Sequence, residues 1–115
     1  MGKMSRDKGK IGERELAKCF REHGYEDARR TSQFCGQTGD AADVIGLPGI
    51  HVECKRVEKL NIHDAFDQAK RDSEAKGIGQ IPVVFHRRNN TKWLVTMCID
   101  DWFTLYREWE CGRKE

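Results

Sequence analysis

The chain is 115 residues long, with a mass of 13.3 kDa, 37% hydrophobic and 35% charged residues, and 21 Lys and Arg against 19 Asp and Glu for a net charge of +2. That length predicts one small domain and leaves little chain for a second core. No apolar run approaches the ~20 residues that span a bilayer, and the polar, basic start from Met1 to Lys10 does not resemble a secretory leader, so a soluble, cytoplasmic protein with no membrane partner is expected.

Residues 1–8 read as a flexible basic arm carrying Lys3, Arg6 and Lys8, with Lys10 just beyond it. A helix is predicted from Lys10 to His23, because Gly12, Leu16, Cys19 and Phe20 fall on one face, and Gly24 is placed to end it. Cys19 and His23, four apart, are half of a zinc-type pair, but no second pair has matching spacing. The five cysteines contain no C-x-x-C pair and are expected as free thiols.

Tyr25–Ser32 is a possible first strand, and residues 35–42 are loop-like. Asp43–Leu47 is a short strand, Pro48-Gly49 a turn, and Ile50–Lys55 a strand of strict alternation, so the two strands predict a hairpin. A second helix follows from Asn61 to Lys76, with Ile62, Phe66, Ala69 and Ser73 on one face and Gly77 and Gly79 after it. Pro82–His86 and Trp93–Cys98 are two further strands. A helix capped by Asp100 or Asp101 then carries Trp102, Phe103, Leu105, Tyr106 and Trp109, before a polar tail at 110–115. The order α-β-β-β-α-β-β-α predicts a small α/β fold around a mixed, five-stranded sheet.

Glu53 and Lys55 are two apart on a strand, so their side chains leave the same face, while Cys54 points the other way. Asp43 opens the strand expected to pair with theirs. Two carboxylates held that close repel unless a cation lies between them. Carboxylate oxygens suit Mg²⁺ or Mn²⁺, and a lysine beside them can orient water for attack on a phosphodiester. A Glu-x-Lys pair alone is more often an exposed salt bridge. His51 shares the face and borders this group without being taken as a ligand.

The pattern resembles the PD-(D/E)xK nuclease superfamily, in particular its archaeal and phage Holliday junction resolvase-like members. The likeness covers residues 8–100. It includes Gly12-Glu13-Arg14-Glu15 on the first helix, Gly39-Asp40-Ala41-Ala42-Asp43-Val44-Ile45, Val52-Glu53-Cys54-Lys55, Gln68-Ala69, Pro82-Val83-Val84 and Trp93-Leu94-Val95. Ala42 stands where the family's proline precedes the aspartate. Asp43 is preferred to Asp40 because it directly opens the apolar strand, with Asp40 shaping the turn after Gly39.

The resemblance implies a restriction-endonuclease-like core and a Mg²⁺- or Mn²⁺-dependent DNA endonuclease acting on branched or four-way DNA as a homodimer. It implies that Asp43, Glu53 and the Cys54 carbonyl hold the ion and that Lys55 acts on the attacking water. Glu13 would be a helix-borne acid of the site, and Gln68 would support it from the second helix. Lys3, Arg6, Lys8, Lys10, Arg56, Arg87 and Arg88 are the candidate DNA contacts, and a bacterial, archaeal or phage-infected cytoplasm is the expected setting.

Overall fold

The computed structural model describes residues 2–31 and 42–113, with side chains from Gly9 onward. In chain order the elements are α1 (Gly2–Glu22), β1 (Arg29–Arg30), β2 (Val44–Ile45), β3 (Ile50–Arg56), α2 (Ile62–Lys76), β4 (Ile81–Arg87), β5 (Leu94–Met97) and α3 (Ile99–Arg113). The strands form one sheet in the order β1-β2-β3-β4-β5. Every pair is antiparallel except β3–β4, which is parallel and is joined across α2. This is the α/β, restriction-endonuclease-like architecture expected.

α1 begins at Gly2, not at Lys10, so the segment expected as a flexible arm has helical backbone. Its Lys, Arg and Met residues all favour helix, and no proline interrupts them. The side chains of Lys3, Arg6 and Lys8 lie outside those described. α3 likewise runs to Arg113, which takes residues 110–113 out of the expected tail. β1 is only two residues long, a remnant of the eight-residue strand expected there.

α1 lays Leu16, Ala17 and Phe20 on one face of the sheet, against Val44 and Val52, with Phe85 meeting Phe20 edge-on at 5.0 Å. Gly12 lets the helix come close: a β-carbon there would stand 2.6 Å from the Arg56 Cβ. α2 covers the other face, packing Ala65 and Ala69 on Val84. Asn61 caps α2 by accepting the Asp64 N–H at 3.1 Å, and Gly77 ends it with φ +66°. Pro82 is tolerated inside the sheet for a positional reason. Ile81 donates its N–H toward β3, to the Gly49 carbonyl, so position 82 faces β5, whose pairing stops at Val83–Met97.

The β2–β3 connection depends on Gly46, which has φ +103°, and a β-carbon there would lie 2.5 Å from the Ala28 Cα. Both conditions exclude a branched side chain. Gly46→Val is therefore expected to cost more than about 2 kcal/mol, or about 10 °C in Tm, measured by thermal denaturation. An unchanged Tm would show that the turn can be rebuilt.

With helices on both faces, the alternating β3 strand has no solvent side at its centre. His51 and Glu53, expected on a half-exposed face, are 0% and 3% exposed. α3 is the opposite case: none of its residues is buried, and Trp102 and Tyr106 stack at 5.1 Å on its exposed aromatic face. Among the described residues, no helix is long and apolar enough to cross a membrane.

Candidate active site

β2 and β3 pair with Val44 opposite Val52. Both of these side chains pack under α1, so their neighbours Asp43 and Glu53 turn to the α2 face, opposite one another. The Asp43 amide donates to the Val52 carbonyl at 2.9 Å. The Cys54 amide in turn donates to Asp43 Oδ2 at 2.7 Å, which fixes that carboxylate at the strand boundary. Lys55 places Nζ 3.6 Å from Glu53 Oε2. The Lys55 side chain is about one-third exposed while that of Glu53 is nearly closed off, so the lysine is the member of the pair that meets solvent. Asp43, Glu53 and Lys55 are thus brought together as expected. Asp40 lies outside the described residues.

Glu13 leans from α1 to the same end of the sheet. Its Oε1 accepts from Arg30 Nε at 3.0 Å, and its charge reaches Asp43. Arg30 was not anticipated: an arginine in a two-residue strand carries no pattern of its own. Asp72 was also missed. It lies on α2 one turn beyond Gln68 and two beyond Asp64, a spacing that reads as a solvated stripe. Gln68 itself is exposed and shares a hollow of about 230 Å³ with Lys55, Leu60, Asn61, Asp64 and Ala65.

The electrostatics follow from crowding acids in a closed place. Burial pushes the Asp43 carboxyl up to about 6. The Cys54 amide and Lys55 oppose that rise, and Glu13 and Asp72 add to it. Burial likewise pushes Glu53 up to about 7, with Asp43 and Asp72 adding to the rise and Lys55 opposing it. The Cys54 thiol is raised by burial and by Asp43, Glu13, Glu53 and Glu15, so it stays protonated and unreactive. A divalent cation would relieve this repulsion, and the oxygen donors of Asp43 and Glu53 fit one.

A family described as "phage putative PDDEXK endonuclease" matches residues 4–112. The chain belongs to this family. It is thereby a member of the PD-(D/E)xK nuclease superfamily. No curated protein and no solved structure matches the chain.

The remaining expectations divide. Arg56 and Arg87 are not free cations: both engage Glu15, at 2.9 and 3.6 Å, and Arg56 also donates to Asn89 at 2.7 Å. The basic run at 87–92 has no acid within it; Glu15 reaches it from α1, and Glu58 accepts from the Asn89 amide at 2.7 Å. Lys10 and Arg88 are exposed. Cys19 Sγ and His23 Nδ1 are 3.9 Å apart, but that ring nitrogen is 2.8 Å from the Cys19 carbonyl, a helix-end contact. Among the described residues the pair acquires no third zinc donor.

Proposed function

We propose that this family member is a metal-dependent DNA endonuclease whose active site is built on Asp43, Glu53 and Lys55. The observation that carries the reading is the register of β2 and β3. It sets two desolvated carboxylates opposite one another, with an ammonium 3.6 Å from one of them. Asp43 and Glu53, with the Cys54 carbonyl, would hold Mg²⁺ or Mn²⁺. The bound ion supplies Lewis acidity and neutralises charge on the scissile phosphate.

The chain's own groups do the rest. The Lys55 ammonium orients the incoming water and donates hydrogen bonds to the phosphate oxygen as its charge grows. The Cys54 amide keeps Asp43 from turning away. Glu13 anchors Arg30, whose guanidinium is placed to grip a phosphate. Gln68, across the hollow from Lys55, positions that ammonium.

Exposed Lys10 and Arg88, with Lys3, Arg6 and Lys8, supply backbone contacts, and Arg56 and Arg87 do so on release from Glu15. Branched DNA is the proposed substrate, cut symmetrically by a homodimer. The exposed aromatic face of α3 is the candidate contact between copies. The cytoplasm of a phage-infected cell is the proposed setting.

Cleavage of four-way, linear and supercoiled DNA tests the reading. Mn²⁺ or Mg²⁺ should support cutting, EDTA should abolish it, and the four-way substrate should be cut fastest. Cutting in EDTA, or equal cutting by Lys55→Ala, would refute the assigned chemistry. Faster cutting of linear duplex would identify a general nuclease of the same fold.

A further inference from the structure

The acids of the proposed site share their face with a donor of different chemistry. His51 lies two residues before Glu53 on β3, beneath α2, with no exposed surface. One His51 ring nitrogen, one Glu53 carboxylate oxygen and one Asp72 carboxylate oxygen all lie within 4.8 Å of one another. Three donors spread evenly about one ion at ~2.2 Å lie about 3.8 Å apart. Contraction of these separations by about 1 Å at most therefore lets the trio share an ion. Its placement is fixed by elements rather than by loops. His51 and Glu53 are held by β3, which is paired on both sides, and Asp72 by α2, docked through Ala65 and Ala69 onto Val84.

The donor set discriminates between ions. Mg²⁺ takes oxygen ligands and keeps several waters, so a closed pocket containing an imidazole serves it poorly. Imidazole with carboxylates suits first-row divalent ions such as Mn²⁺, which accept nitrogen and oxygen together. We propose that His51, Glu53 and Asp72 bind a first-row transition ion through one nitrogen and two carboxylates, so that the site prefers Mn²⁺ to Mg²⁺. This deepens the metal-dependent reading above and rests on it.

The test reads the ion's ligands directly. The full chain, stripped with EDTA and dialysed, is titrated with Mn²⁺ and separately with Mg²⁺ by calorimetry, and the Mn²⁺ form is studied by pulsed electron paramagnetic resonance. Mn²⁺ should bind at least tenfold more tightly than Mg²⁺ and show ¹⁴N modulation from a bound imidazole. Asp72→Asn, at a partly exposed position, should weaken Mn²⁺ by about 10- to 100-fold. His51→Gln should remove the ¹⁴N signal. The wild-type spectrum is decisive even if that variant fails to fold.

Mn²⁺ bound without ¹⁴N modulation, or equal affinity for the two ions, overturns the proposal and leaves the Asp43–Glu53 site standing. Binding of neither ion overturns both.

Discussion

Glu53→Gln is expected to reduce DNA cleavage by about 10³-fold or more, equivalent to about 4 kcal/mol of transition-state stabilisation. The substitution keeps the volume of a side chain that is 3% exposed, so the packing under α2 is preserved. What it removes is the charge needed to hold a cation. The same change should leave the metal-free protein no less stable, and at pH 8 more stable. Glu53 is costly to ionise because it is desolvated and faces Asp43 and Asp72. The combination is diagnostic. Lost activity with a lowered Tm would indicate collapse of the site's framework, while retained activity would remove Glu53 from the chemistry. Cleavage rates and thermal melts on one preparation decide between these.

The second large effect is a reversal of pH dependence by the ion. Asp43 and Glu53 are raised to about 6 and about 7 in the folded chain, while an unfolded carboxyl titrates near 4. For an acid raised on folding, the folded state binds more protons than the unfolded one across the interval between the two values. The associated stability is therefore fully present below about pH 4 and is lost as pH rises through 6 to 7. These two groups should make the metal-free protein less stable at pH 8 than at pH 5.

Ion binding requires both carboxylates to be deprotonated. Affinity should therefore fall by about tenfold for each unit that pH drops below these values, approaching about 100-fold per unit where two protons must leave. Added Mn²⁺ should raise Tm strongly at pH 8 and hardly at pH 5. Melts at pH 5, 6.5 and 8, with EDTA or with Mn²⁺, measure this, and Glu53→Gln should flatten the metal-free slope. An ion-induced shift of equal size at pH 5 and pH 8 would contradict the linkage.

Much of this was legible from residue patterns, and the reasons it was differ from one element to another. The alternation in β3 separates Val52 and Cys54 from His51, Glu53 and Lys55 whatever covers the sheet, so the shared face of Glu53 and Lys55 was readable. The Pro48-Gly49 turn announced the hairpin that sets Asp43 beside them. The burial of His51 was not readable, because period-2 alternation is the same whether the polar face meets water or a helix.

Asp72 was hidden by the same ambiguity. Asp64, Gln68 and Asp72 form a polar stripe, of which the docking of α2 partly covers Asp72 while Asp64 and Gln68 stay exposed. The Glu15 contacts to Arg56 and Arg87 join residues 41 and 72 positions apart, beyond the reach of any local pattern. The helical backbone of residues 2–8 was obscured by their basic, polar character, which reads as a solvated arm although Lys, Arg and Met favour helix.

The parallel pairing of β3 with β4 carries a consequence for the order in which the acidic cluster forms. Ile50 pairs with Ile81, and the intervening chain must form α2 and cross the sheet before the two strands can meet. Closing that loop loses entropy before its contacts compensate, so the pairing belongs to the slow part of folding. β3 carries Glu53, and α2 carries Asp72, so Asp72 joins Glu53 only when this crossover closes. A nascent chain that has formed α1 and the β2–β3 hairpin would still lack the α2 side of the cluster. The α2 side of the acidic cluster is therefore assembled only when the crossover closes, although Asp43, Glu53 and Lys55 already share the hairpin.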